Sequence, residues 1–380
     1  MPALFQHPAL AGILPAQAGG RIRPLDEERL SQARARLDSL AKPKGSLGRL
    51  EEIAMRLACL RHPCEVAPAV IFTCAADHGV AEEGVSPFPQ SVTRAMVENF
   101  LQGGAAINAL TGAAGMDLAI VDAGCRGGPF ADPRVINLRL GDGTANLAAG
   151  PAMDAETCRQ GLASGCRLAC DWIAKGWRCL GIGEMGIANT TPATALYCQL
   201  LGLSPSEAAG PGTGADPAMV AHKAEVVARA LAVNRDRLSA RTPDGLPDPI
   251  AALACLGGFE IAVMAGIVLG AASLQAPVLI DGFIASAAYA CAVLAAPACA
   301  DFAFVAHASA EPGHQPAMVR LARLTPHPAW GRPLLHLGMR LGEGTGAAMA
   351  YPLLKGACAA YTQMASLADV AAGPSASPSA

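Results

Sequence analysis

Five short, nearly unbroken apolar runs are spread along this chain, and each stops at a polar or glycine-bearing residue before a helical pattern takes over. They are AVIFTCAA (69–76), MDLAIVDA (116–123), RCLGIGE (178–184), PVLIDG (277–282) and DFAFVAH (301–307). Runs of this length without polar alternation predict strands covered on both faces, which is the habit of parallel sheets. Between them, periodic segments predict helices over 91–101, 104–110, 154–174, 191–201 and 218–232. The fold class that follows is α/β, a parallel sheet flanked by helices. Charged, periodic helices over 26–40 and 47–61 precede the first strand, separated by a loop in which Pro43 and Gly45 break the helix and Ser46 can cap the next one. Helices follow the last strand to about residue 366. The two ends are expected to pack together as a small helical unit. The expected organisation is 1–66 helical, 67–335 α/β, 336–368 helical with a glycine-rich loop at its start, and 369–380 a disordered tail of small residues and proline.

Composition removes several alternatives. The chain has 380 residues, 52% of them hydrophobic but only 4% aromatic, so Ala, Leu, Val and Gly must fill the core through close helix–sheet packing. Lys+Arg number 28 against 31 Asp+Glu, with no basic stripe or acidic tail, which argues against a nucleic-acid partner. The most apolar window, 251–276, is long enough to span a bilayer. It carries Glu260, the Gly257–Gly258 pair and no flanking basic cluster, and so is expected to be a buried helix pair. Thirteen scattered cysteines with no C-x-x-C predict reduced thiols and a cytoplasmic protein. The first twenty residues lack a basic start and contain prolines, unlike a signal peptide.

Polar and glycine residues collect at the carboxyl ends of the five runs: Asp77-His78-Gly79, Asp122-Ala123-Gly124, Gly183-Glu184, Asp281-Gly282 and His307. In open α/β sheets that edge binds ligands. Three glycine-rich segments add to it. GIGEMG (181–186) runs into Thr190 and Thr191 at a helix start, where an anion such as phosphate would be favoured, though an ordinary strand–helix turn would look the same. GPGTG (210–214) lets the backbone approach a ligand, with Lys223 beyond it as a point charge for phosphate or simply a solvated lysine. RLGEGTG (340–346) sets Glu343 between glycines, either as a general base tuned by burial or as a helix-start carboxylate.

His78, His307 and His314 with Asp77 and Glu311 are the residues a metal site would use, but no metal-binding spacing is present. A metal-dependent phosphohydrolase and a non-catalytic nucleotide-binding protein are the competing readings. Each strand end carries a single acid, Asp122 or Asp281, rather than the adjacent pair that commonly binds ribose and Mg²⁺ in enzymes using phosphoribosyl pyrophosphate.

Taken together, the segments KPKGSLGRLEEIA (42–54), ADHGVAEEGVSPFPQSVTRAMVENFLQGGAAIN (76–108), GIGEMGIANTTPATAL (181–196), GPGTG (210–214), LGGFEIAVMAGIVLGAA (256–272), PVLIDGFIASAA (277–288), HASAEPGHQ (307–315) and LGMRLGEGTGAAMA (337–350) resemble one family in the expected order. That family is the nicotinate-nucleotide–dimethylbenzimidazole phosphoribosyltransferases. The resemblance implies a Rossmann-like sheet with a small helical domain, a homodimer, and transfer of the phosphoribosyl group of nicotinate mononucleotide to 5,6-dimethylbenzimidazole. The products would be α-ribazole 5′-phosphate, with inversion at the anomeric carbon, and nicotinate. It implies Glu343 as the catalytic base and no metal or other cofactor. It also implies Ser86, Phe88, Gln90 and Leu341 around the benzimidazole, and Glu184, Gly186, Thr190, Gly212, Gly214 and Lys223 around the nucleotide.

Overall fold

A computed structural model describes residues 5–60 and 64–372. All eight residues of β1 (Ala69–Ala76) are buried, as befits a strand covered on both faces. Around it stand β2 (Asp117–Gly124), β3 (Val135–Asn137), β4 (Cys179–Met185), β5 (Val278–Ile280) and β6 (Ala303–Val305). Among the described residues these form one six-stranded sheet, ordered β3-β2-β1-β4-β5-β6, with every pair parallel. This is the doubly wound Rossmann order. The chain runs outward from β1 through β2 to β3, then returns to β4 on the other side of β1, so the connections part between β1 and β4.

The helices are α1 (Glu27–Ser39), α2 (Arg49–Leu60), α3 (Ser91–Gln102), α4 (Ala106–Ala114), α5 (Ala155–Ala174) and α6 (Thr190–Leu201). They continue with α7 (Pro205–Ala208), α8 (Pro217–Val233), α9 (Arg235–Leu238), α10 (Pro249–Leu256), α11 (Phe259–Ser273) and α12 (Phe283–Ala295). The last are α13 (His314–Ala322), α14 (Thr345–Gln363) and α15 (Leu367–Ala372).

Two expectations need correction. The sheet has six strands rather than five, because β3 has no apolar run of its own and exists through pairing with Ile120, Val121 and Asp122 of β2. Residues 369–372, expected in the tail, are helical: Asp369 lies in α15, where its Oδ2 accepts from Ser366 N at 2.8 Å and Ser366 Oγ accepts from Asp369 N at 3.1 Å. Residues 373–380 of that tail, and residue 61 at the expected end of α2, lie outside the described residues.

The apolar window resolves into α10 and α11, broken at Gly257–Gly258, and no described helix is long and apolar enough to cross a membrane. Every residue of α11 is buried. Glycines let α5 close onto it: a Cβ on Gly165 would stand 1.9 Å from Val263 O, and one on Gly266 would stand 2.2 Å from Leu162 O. Gly165→Ala must therefore push two backbones apart, and urea denaturation should show a loss of about 1–3 kcal/mol, the usual range for overpacking. All thirteen cysteines are free and buried.

The terminal segments meet, as Leu40 bridges Ser366 and Ala41 N donates to Ala365 O at 2.9 Å. Arg56 of α2, fully buried, donates to Ala300 O, Asp301 O and Ala303 O and stacks on Phe304 at 3.9 Å. Burial lowers its pKa to about 10, which still leaves it charged at neutral pH. The terminal helices are thereby tied to the β6 edge and share one hydrophobic core with the sheet.

Candidate active site

The parting of the connections leaves a crevice beyond the carboxyl ends of β1 and β4, the place where such folds bind ligands. The loop 340–346 lies across it. Glu343 N donates to Glu184 O at the end of β4 (3.1 Å), and Thr73 Oγ1 on β1 donates to Glu343 O (2.7 Å). From the end of β5, Asp281 accepts from Gly344 N (3.1 Å), Gly346 N (2.7 Å) and Ala347 N (3.1 Å), capping α14. Three strands thus hold one short loop.

The loop backbone is unusual. Gly342, Glu343 and Gly344 have φ values of 86°, 64° and 96°, all in the left-handed region. For glycine this is permitted; for a glutamate it is uncommon and costs roughly 1–3 kcal/mol, so surrounding bonds must impose it. Gly183 makes room beneath: a Cβ there would lie 2.1 Å from Gly344 N and 2.4 Å from the Glu343 carbonyl carbon.

The Glu343 side chain is 5% exposed. Its Oε2 accepts from Ile107 N in the first turn of α4 at 3.3 Å, a single long bond at a helix N-terminus. Burial raises its pKa above the usual carboxylate value, the Ile107 bond opposes that, and Asp281 adds to it. Beside it, burial pushes the Glu184 carboxyl up to about 8, while a hydrogen bond from Asn189 pulls the other way. Burial thus holds both carboxyls of the crevice above the ordinary glutamate range.

A narrow cleft opens from the crevice toward α6 and α8. Its walls include Glu184, Gly186, Thr190, Gly212, Ser309, Glu311, Arg340, Leu341 and Gly342. Behind this wall Lys223 of α8 is fully buried, donating to Thr190 Oγ1 (3.1 Å) and Gly210 O (2.9 Å). Burial lowers the Lys223 pKa and the Glu311 charge works against that. A buried lysine, a threonine hydroxyl at a helix start and glycine backbone together form a cradle of the kind that suits an anion.

The histidines go separate ways. His78 Nε2 pairs with Glu260 at 2.9 Å, His307 Nε2 stands 3.8 Å from Asp281, and His314 accepts from Ser309 N while its Nε2 meets Ser286 Oγ. Among the described residues no three His, Cys, Asp or Glu side chains are grouped to hold a metal ion.

Comparison with known proteins gives the family. A phosphoribosyltransferase family model matches residues 22–371. The nicotinate-nucleotide–dimethylbenzimidazole phosphoribosyltransferase of Solidesulfovibrio magneticus is 53% identical over 351 residues, covering 92% of this chain and 95% of that protein. The chain belongs to this phosphoribosyltransferase family. The enzyme of the same name from Pseudomonas putida is 46% identical over 353 residues, covering 92% of this chain and 95% of that one. A crystal structure of the Thermus thermophilus enzyme superposes with a TM-score of 0.81 at 40% identity, covering 92% of this chain and all of that one.

Within this phosphoribosyltransferase, the structure gathers Glu184, Gly186, Thr190, Gly212 and Leu341 on the wall of one cleft, with Lys223 buried behind it and bonded to Thr190. Gly214 is not on its wall. Its φ of 116° explains the glycine, and a Cβ there would meet nothing within 4 Å. Lys223, which composition also allowed as solvated, is buried. The Glu343 carboxylate turns from the cleft toward α4, while Leu341 and Gly342 of its loop face the cleft. Gln90 donates to His78 O (2.6 Å) and Ser86 Oγ accepts from Phe88 N (3.3 Å), so these bonds stay within the segment after β1. That segment is docked on the β4–α6 turn by Thr93 Oγ1, which accepts from Ile187 N at 3.1 Å. Phe88 and Leu341 leave large apolar side chains in solvent, 49% and 58% exposed.

Sequence reading missed three contributors. Glu260 was visible as a lone acid in an apolar window, a signal for a buried partner, which is His78. Thr73 sits inside a strand run with nothing to mark it. Arg340 reads in sequence only as a loop residue, yet it lines the cleft and its guanidinium donates to Gly212 O on the same wall.

Proposed function

We propose that this phosphoribosyltransferase moves the phosphoribosyl group of nicotinate mononucleotide to 5,6-dimethylbenzimidazole, giving α-ribazole 5′-phosphate and nicotinate with inversion at the anomeric carbon. The observation that carries the reading is a buried glutamate, Glu343, on a strained loop tied to three strands beside an anion cradle. The phosphate would sit with Thr190, Lys223 and Gly212, and Glu184 and Gly186 would face the ribose. The acceptor would lie against Phe88 and Leu341, whose exposed apolar surfaces suit a flat aromatic ring. Ser86 and Gln90 shape the segment that bears Phe88.

Glu343 would take the N–H proton of the benzimidazole, which replaces Ile107 N–H as the carboxylate's partner. The other ring nitrogen then bonds to the anomeric carbon. The bond to nicotinate breaks, and its electron pair returns to the positively charged pyridinium nitrogen, so the leaving group needs no acid. Positive charge developing on the ribose is stabilised by the nearby carboxylate.

Purified protein given nicotinate mononucleotide and 5,6-dimethylbenzimidazole without added metal, followed by chromatography with mass detection, tests this. Equimolar nicotinate and α-ribazole phosphate are expected. Untouched nucleotide, or nucleoside from loss of phosphate, would overturn the reading. The pH profile adds a second expectation. The working form of Glu343 is the carboxylate, present only above its pKa, and burial has raised that pKa from 4.5. Turnover should therefore fall on the acid side at a pH above the ordinary glutamate range, and this limb should be absent from the residual activity of Glu343→Gln.

A further inference from the structure

Glu311 puts a buried carboxylate inside the cradle assigned above to the substrate phosphate. Its Oε1 accepts from Gly212 N at 3.0 Å, and its Oε2 is buried with no hydrogen-bond partner among the described residues. The side chain is 3% exposed and lines the same cleft as Thr190, Gly212 and Arg340. Gly210 leaves space for it, since a Cβ there would lie 2.1 Å from Oε2. Two cations face it: Lys223 from α8 and Arg340 from the loop before α14. Glu184 and His307 are the other titratable groups on the cleft wall.

An incoming phosphate needs what this carboxylate now holds, namely the Gly212 N–H and the field of Lys223 and Arg340. A phosphomonoester is close to a dianion at neutral pH and above. Two anions side by side in a buried site repel each other, and a proton shared between them relieves the repulsion. We propose that Glu311 is a phosphate-recognition residue that gains a proton as the phosphate binds, so that its neutral carboxyl donates an O–H to a phosphate oxygen. The unpartnered Oε2 is the atom free to carry that proton. Burial already raises the Glu311 pKa, with Lys223, the Gly212 bond and Arg340 opposing it. The proton comes from solvent and no covalent bond changes. The proposal rests on reading this cleft as the nucleotide's phosphate site.

Titration calorimetry tests it on the whole chain, with inorganic phosphate and nicotinate mononucleotide as probes, at pH 8 in two buffers of different protonation enthalpy. Wild type should take up close to one proton per ligand bound. Glu311→Gln, whose amide mimics the neutral acid, should lose that uptake. It should also bind phosphate about tenfold more tightly than wild type at pH 8, with the advantage fading toward pH 6. The tenfold follows from the small neutral fraction available to wild type at the higher pH. No uptake in wild type, uptake persisting in the variant, or no phosphate binding at all would each overturn the proposal. The wild-type measurement stands alone if the variant does not fold. Proton-linked phosphate binding without transfer to dimethylbenzimidazole would sink the proposed reaction and leave this inference standing; transfer without proton linkage would do the reverse.

Discussion

Glu343→Gln should leave the fold intact and lower turnover by about 10²-fold or more, the usual scale for losing a general base. The amide is nearly isosteric and can occupy the same pocket at the start of α4, but it cannot accept the acceptor's proton at neutral pH. The backbone bonds that hold the loop, from Glu343 N to Glu184 O and from Thr73 to Glu343 O, do not involve the side chain and survive the change. Circular dichroism and thermal melting should match wild type, while single-turnover rates with nicotinate mononucleotide and dimethylbenzimidazole fall. Wild-type turnover in a well-folded Gln variant would remove Glu343 from the mechanism.

Gly183→Ala is expected to have an effect of similar size without touching a functional side chain. Its Cβ would meet only backbone atoms, Gly344 N at 2.1 Å and the Glu343 carbonyl carbon at 2.4 Å, so nothing flexible can yield. The loop must lift from β4, stretching the Glu343–Glu184 bond and moving the carboxylate. A displacement of about 1 Å can lower a rate by about 10²-fold, because reacting groups are held in a near-attack geometry. Stability should drop by about 1–3 kcal/mol in denaturant titrations. Near-normal turnover in this variant would mean that the loop does not need its seat on β4.

The three glycines at 183, 342 and 344 also show why the site was only partly legible. The strand runs were readable because burial on both faces writes itself as continuous hydrophobicity, and the carboxyl edge followed from them. GIGEMG reads equally as an anion-binding loop or as an ordinary strand–helix turn. In the fold, Gly183 instead seats the loop of a distant segment, and Gly186 keeps clear of His78, whose Nε2 would stand 3.0 Å from a Cβ there. Whether a glycine serves a ligand or another backbone depends on what packs against it, and that is tertiary information. The same holds for Lys223 and Glu311, whose burial no local pattern announces. β3 was invisible because its three residues become a strand only beside β2.

The loop's attachment to β1, β4 and β5 has a consequence for biosynthesis. A chain emerging from the ribosome presents its N-terminal parts first. The cradle residues Thr190, Gly212 and Lys223 are therefore in hand long before residue 343 is made, and so are the Thr73, Glu184 and Asp281 anchors. Glu343 is made after all three of these anchors, and α14, which packs into the core, follows it. A chain halted before that point would lack both the loop and the buried face of α14, so its sheet edge and its core would stay open together.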